Sequence, residues 1–185
     1  QAVTAVQVPP APEAGSVTLA DPAALAAEGL EALHPLTPMQ RGMLVHALLS
    51  ASREEYAEQL VLALPQNVDL DRLREAWSGV VDRHAALRSA VRWLGADEPV
   101  QAVHLKAALP WALHEHGALS EAEHAAALSR LAEGERRAGF ELTRPALFRL
   151  AVVRSARGVA LVWTFHHLVL DGWSAGLIIQ HVAEE

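Results

Sequence analysis

Thr164-Phe165-His166-His167-Leu168-Val169-Leu170-Asp171-Gly172-Trp173-Ser174 closes an apolar run that begins at Val159. Val159 to Phe165 is rich in β-branched and aromatic residues and reads as a buried strand. Asp171-Gly172 is turn chemistry, and Trp173 to Glu185 returns to helical spacing, with Leu177, Ile178 and Val182 on one face. Two histidines therefore arrive at the end of a rigid strand, just ahead of a turn. Neighbouring strand residues point to opposite faces, so His166 and His167 look in different directions. One is expected to support the fold, while the other can face a cavity. Imidazole, with an unperturbed pKa of about 6.5, exchanges protons near neutrality.

Outward from that stretch, Leu147 to Arg154 is a second strand, joined to the first at Ser155-Ala156-Arg157-Gly158. Ser120 to Ala138 reads as a helix, opened by a Ser-x-x-Glu box at Ser120 and Glu123. Trp111 to His116 is a short strand. Leu87 to Trp93 and Pro99 to Leu105 form a hairpin across Gly95-Ala96-Asp97-Glu98. Asp69 caps a helix that carries Leu70, Leu73, Trp77, Val80, Val81 and His84 on one side. Tyr56 to Leu64 is a strand. Thr37, Pro38 and Gln40 make a capping box with proline at the first helical position, and Met39, Met43, Leu44 and Ala47 form the buried stripe of that helix. Asp21 to Leu30 has room for one or two helical turns. Residues 1–32 read as a linker from an upstream domain, most clearly at Val8-Pro9-Pro10-Ala11-Pro12. The pattern is α/β of the α+β sandwich kind: strands meeting in one mixed central sheet with helices packed around it. There is no internal repeat.

Composition limits the function. The 185 residues suffice for one domain with a real core, and 51% of them are hydrophobic, which argues a globular chain. No run reaches the roughly 18 apolar residues of a membrane span, and the start lacks the basic-then-apolar pattern of a signal peptide. It also lacks an initiator methionine, so a piece of a larger chain is expected. The absence of cysteine rules out disulfides, thiolate zinc sites and a cysteine nucleophile, which fits a cytoplasmic location. A net charge of −7 argues against a nucleic-acid footprint. No Gly-x-Ser-x-Gly elbow appears. Of the ten histidines, the eight outside the pair, His114 and His116 among them, show no helical pairing of the metal-binding kind, and no metal is expected.

The order His166-His167-x-x-x-Asp171-Gly172, followed by Trp173-Ser174, resembles the core motif of nonribosomal peptide synthetase condensation domains, members of the chloramphenicol-acetyltransferase-like superfamily. His34-Pro35-Leu36-Thr37-Pro38-Met39-Gln40-Arg41-Gly42-Met43-Leu44-Val45-His46 resembles that family's first motif. Arg83-His84-Ala85-Ala86-Leu87-Arg88-Ser89 resembles its second, where an acidic residue often stands in place of Ala85. Phe140-Glu141-Leu142-Thr143-Arg144-Pro145 resembles the segment ahead of its central hairpin, where Asp is more frequent than Glu141. A histidine on an apolar element is usually a satisfied core residue; the complete motif is what singles out His167.

The resemblance implies that residues 33–185 are the N-terminal lobe of a condensation domain whose C-terminal lobe is absent, so that this piece alone has little or no activity. It implies acyl transfer: the amine of one carrier-tethered substrate attacks the thioester of another. Donor and acceptor peptidyl carrier proteins, the second lobe and neighbouring synthetase domains are the implied partners. No cofactor is implied beyond the phosphopantetheine arms of those carriers, and neither nucleic acid nor membrane is a partner. The family's second histidine places His167 in the channel, as general base or as a positioning and hydrogen-bonding group. His166 and Asp171 support it, Asp171 as an ion-pair partner, often of an arginine. Gly172 permits close backbone approach, with its N–H a candidate oxyanion donor, and Ser174 is a candidate cap for the last helix. Trp173 belongs to the same supporting set. Arg83 and Arg88 hold the fold, and Trp163 and Phe165 belong to the core. Alternatives of the same fold are an epimerisation domain, a non-catalytic carrier-docking domain and a stand-alone acyltransferase using coenzyme A. Trp173 preceding Ser174 favours condensation over epimerisation. The Leu36-Thr37-Pro38-Met39-Gln40 and Leu168-to-Ser174 segments lean toward donors ending in a D-residue, with the L-to-L and dual-function types as the alternatives.

Overall fold

The computed structural model describes residues 21–94 and 98–185. Its elements run α1 (Pro22–Ala27), β1 (Leu30–Pro35), α2 (Pro38–Leu49), β2 (Ala57–Leu64), α3 (Leu70–Arg83), a 3-10 turn (Ala85–Arg88), β3 (Ser89–Leu94), β4 (Glu98–His104), β5 (Trp111–Glu115), α4 (Glu121–Ala138), β6 (Phe148–Ser155), β7 (Gly158–His166) and α5 (Gly172–Glu184). Local chemistry accounts for the helix starts. Thr37 and Gln40 exchange both bonds of a capping box at α2, and Ser120 and Glu123 do the same at α4. Asp69 accepts the N–H groups of Asp71 and Arg72 at α3.

The strands divide into two sheets, one in the order β1-β4-β3 and one in the order β2-β7-β6-β5, not the single sheet expected. The difference comes from β1. It pairs antiparallel with β4 across from β3, so the β3–β4 hairpin is completed there and does not extend the larger sheet. Only Leu30 of β1 is buried and Pro35 ends it, so neither periodicity nor a turn signal marks it as a strand. Residues 21–32, read as linker, thus form α1 and the first half of β1. The rest of that expected linker, together with Gly95, Ala96 and Asp97, lies outside the described residues. In the larger sheet β6 and β7 form the hairpin, β2 runs antiparallel along β7, and β5 is parallel to β6. Parallel neighbours need a crossover, and α4 supplies it.

One face of the larger sheet carries the main core. Trp77 of α3 sits edge-on to Trp163 of β7, with centroids 5.0 Å apart, and near-parallel to Phe148 of β6 at 6.4 Å. All three are fully buried, as are Val80 and Val81 of α3, while Ala175 and Ile178 of α5 close the layer. Leu177 and Met39, expected inside, are 43% and 73% exposed. The opposite face receives α4, tied by Gln59, which donates to Thr164 Oγ1 at 2.8 Å and to the Ala132 carbonyl at 2.9 Å. A second cluster of Leu36, Met43, Leu44, Val91, Leu147 and Leu168 joins α2 and the smaller sheet to the turn after β7.

Candidate active site

Along β7, Val159, Leu161, Trp163 and Phe165 face α3 and α5, so His166 falls on the opposite face and His167, one residue past the strand, returns to the first. His166 is 2% exposed. Its Nδ1 accepts the Leu168 N–H at 3.0 Å, which folds the turn back over the ring, and Phe140 meets it edge-on at 6.0 Å. Burial, with His167 adding to it, lowers its pKa to about 4, so the ring is neutral at pH 7. On that side a cleft of about 400 Å³ opens between His166, Arg53, Glu55 and Phe140.

His167 lines a cavity of about 260 Å³ with Glu58, Leu60, Phe165, Gly172 and Ala175. Its backbone N–H donates to the Tyr56 carbonyl at 2.8 Å. Nδ1 is buried and finds no partner in another described residue. The ring makes no side-chain hydrogen bond among the described residues, so Nε2 is the nitrogen free to meet a guest in the cavity. Glu58 and Leu60 reach the same space because they stand opposite Phe165 and Trp163 in the β2–β7 register. The lining is thus mixed: His167, Glu58 and Gln59 beside Leu60, Phe165, Gly172 and Ala175.

Asp171 is the N-cap of α5 and accepts the Ser174 N–H at 2.7 Å. That backbone bond, followed by the contact with the Ser174 side chain, lowers its carboxyl pKa. Among the described residues it forms no ion pair; the cap of α5 is Asp171 rather than Ser174. The physical reason is geometric: the turn stops one residue before the helix, which leaves the carboxylate against the free N–H groups of the first turn. Gly172 is the first helical residue and borders the cavity. Trp173 points outward, 81% exposed. Arg83 pairs with Glu185 on the surface. Arg88 is 5% exposed; it donates to the Val81 carbonyl at 3.2 Å, the His104 carbonyl, and Glu31 Oε2 at 2.7 Å. Arg88 therefore serves the fold, Arg83 makes a surface pair, and neither lines the cavity.

Three residues at the site were not singled out by sequence. Gln40, noticed only as a cap, donates to the Leu168 carbonyl at 3.0 Å and to Gln101 at 3.1 Å, which ties α2 to the turn after the histidines. The signal was its place in the first matched motif. Tyr56 and Glu58 carry no pattern of their own; only the pairing of β2 with β7 brings them to His167. No group of three or more potential metal ligands occurs among the described residues, and no described helix is long and apolar enough to cross a membrane.

A mixed α/β lobe that delivers a histidine from a strand end to a cavity defines a class: proteins in which an imidazole lines a cavity between a sheet and a helix start. The family follows from comparison. The condensation domain profile matches residues 31–184, and the chain belongs to that family. A linear gramicidin synthase polypeptide of Brevibacillus parabrevis is 39% identical over 152 residues, covering 82% of this chain and 3% of that protein. Surfactin synthase subunit 3 of Bacillus subtilis strain 168 is 30% identical over 149 residues, covering 80% of this chain and 12% of the relative. The starter condensation domain of the rhizomide synthetase RzmA superposes with a TM-score of 0.71 at 19% identity, covering 82% of this chain and 36% of that one. A four-domain nonribosomal peptide synthetase bound to AMP and glycine gives 0.70 at 19%, covering 84% and 12%. The chain thus spans about a third of a solved condensation domain and a small share of the curated synthetases it matches.

Proposed function

We propose that this chain supplies one wall and the histidine of a site that forms an amide bond between two carrier-tethered substrates in nonribosomal peptide synthesis. The observation that carries the reading is the placement of His167, which lines a cavity bounded by the N-terminus of α5 and whose ring makes no side-chain hydrogen bond among the described residues. The acceptor's amine nitrogen attacks the donor's thioester carbonyl carbon. The C–N bond forms, the C–S bond breaks, the amine proton leaves, and the phosphopantetheine sulfur departs as a thiol after taking up a proton. Bringing the two arms together contributes effective molarity. His167 contributes at Nε2, where it accepts the amine proton or hydrogen-bonds the forming tetrahedral centre. An α-amine with a pKa of about 7.7–8.0 is already partly neutral at pH 7, so orientation alone provides part of the rate.

Buried, neutral His166 holds the turn, and Asp171, as N-cap, holds the start of α5, so His167 is carried on backbone fixed at both ends. The partners in this reading are a donor and an acceptor carrier and the second lobe of the same domain. The test is transfer in the intact synthetase. Both carriers are loaded, and product is followed by intact-protein mass spectrometry for wild type and His167→Ala. A loss of about 10²-fold or more in the variant, with unchanged thermal unfolding, is expected. Full activity in His167→Ala would defeat the role. Exchange of an α-proton without amide product would turn the reading to epimerisation, and carrier binding with neither reaction would turn it to docking.

A further inference from the structure

Both strands that flank β7 are entered through a non-glycine residue in the left-handed region. Tyr56, with φ 59°, directly precedes β2, and Ala146, with φ 66°, stands two residues before the start of β6. Side chains rarely adopt this conformation because Cβ crowds the backbone. Such strain persists where the surroundings over-determine it, and it gathers at functional sites.

Here each left-handed residue stands at or beside the acceptor of a backbone hydrogen bond that a histidine N–H of the pair donates. The His167 N–H donates to Tyr56 O at 2.8 Å, and the His166 N–H donates to Leu147 O, one residue after Ala146, at 2.9 Å. The β2–β7 ladder ends at the Ala57–His166 pair, so the Tyr56 carbonyl ties His167 to the sheet beyond the regular strand. The side chain of Tyr56 is gripped on several sides. Its hydroxyl lies 3.1 Å from His46 Nδ1, its ring meets His46 edge-on at 5.6 Å and leans on His166 at 6.1 Å, and it packs against the cluster around Met43 and Leu44. These contacts hold the residue in a conformation that its own backbone disfavours.

We propose that Tyr56 is a positioning residue for His167: the left-handed backbone at Tyr56 aims the carbonyl that fixes the His167 backbone, and with it the ring, against the cavity. The proposal rests on the reading of His167 as the acyl-transfer residue. The ring of Tyr56 stabilises the conformation, and the conformation does the positioning. Substitutions at position 56 therefore rank by tolerance of the left-handed region rather than by size. Asparagine, which enters that region readily, substitutes best, and β-branched valine worst.

The experiment compares wild type with Tyr56→Phe, Tyr56→Asn, Tyr56→Ala and Tyr56→Val. Amide hydrogen exchange at His167 is measured in this chain, with the central β7 amides Leu161 to Trp163 as the folding control. Wild type, Phe and Asn keep His167 protected, whereas Val exchanges at least about tenfold faster with the control amides unchanged. In the intact synthetase, Val lowers kcat by about tenfold or more with KM for the acceptor carrier unchanged, because misplacement acts on chemistry and not on docking. If Val does not fold, the order Asn above Ala decides in its place. Exchange and kcat that follow side-chain size, with Asn as impaired as Val or below Ala, overturn the proposal. If wild type forms no amide product, the acyl-transfer reading falls, while the amide order still decides whether Tyr56 fixes His167.

Discussion

His166 and His167 are chemically the same residue in adjacent positions, and their surroundings make them different groups. His166 is buried against Phe140 and spends Nδ1 on the Leu168 N–H, whereas His167 lines a cavity with its ring free of side-chain hydrogen bonds among the described residues. The difference makes His166 a source of pH-dependent stability. Its folded pKa is about 4, against about 6.5 in an unfolded chain. Between those values the unfolded chain binds more protons, so stability rises with pH through this window. His166 therefore leaves stability flat above pH 6.5 and removes on the order of 3 kcal/mol as pH falls toward 4. His166→Asn, whose amide oxygen can accept the Leu168 N–H in place of Nδ1, lacks that fall. Urea unfolding of both proteins at pH 7, 6, 5 and 4.5 checks it, and parallel slopes in the two would refute it.

At the scale of elements, the ends matter more than the middles. α4 begins in a capping box and ends at Gly139, whose φ of 56° and ψ of −156° lie in a region only glycine enters comfortably. A Cβ there would overlap the Arg53 carbonyl, so α4 and the segment leading to Tyr56 approach at backbone contact. Arg149 locks the same corner, donating to the Gly139 carbonyl at 2.6 Å and lying over the Phe140 ring at 4.4 Å. Gly139→Ala is expected to destabilise the fold by roughly 2 kcal/mol or more. Gly134→Ala, inside α4 with open space around it, is expected to stabilise by about 0.5–1 kcal/mol. Thermal unfolding of the two variants gives opposite shifts if the ends of α4 carry this weight, and shifts of the same sign would contradict it. The caps at Thr37, Asp69 and Ser120 were legible in sequence because a cap is local. The cap at Asp171 was displaced onto Ser174 because only the tertiary turn decides which of the two is left beside the free N–H groups.

Across the whole molecule, the boundary of the folded unit lies further upstream than composition suggests. Arg88 is buried with three acceptors, and one of them, Glu31, belongs to the segment read as linker. Leu30, 2% exposed, sits opposite His104 at the start of β1. A chain beginning at residue 33 would leave the Arg88 charge buried without its carboxylate and would open the core at Leu30. Relative to a chain beginning at residue 21, it is expected to lose on the order of 3 kcal/mol. Chemical denaturation of the two chains tests this, and equal midpoints would restore the linker reading.

The sequence alone determined what depends on neighbours along the chain. The β6–β7 hairpin, the amphipathic helices with their caps, and the strand that delivers two histidines to opposite sides all follow from period and turn chemistry, which act over a few residues. The tertiary structure decided what depends on neighbours in space. It separated β1-β4-β3 from the larger sheet, gave Arg88 its carboxylate, and brought Gln40, Tyr56 and Glu58 to the histidine turn. The physical reason is that a strand's partner and the mate of a buried charge are chosen by register and burial across tens of residues. No local pattern records that choice, and a two-strand register is what finally sets Glu58 beside His167.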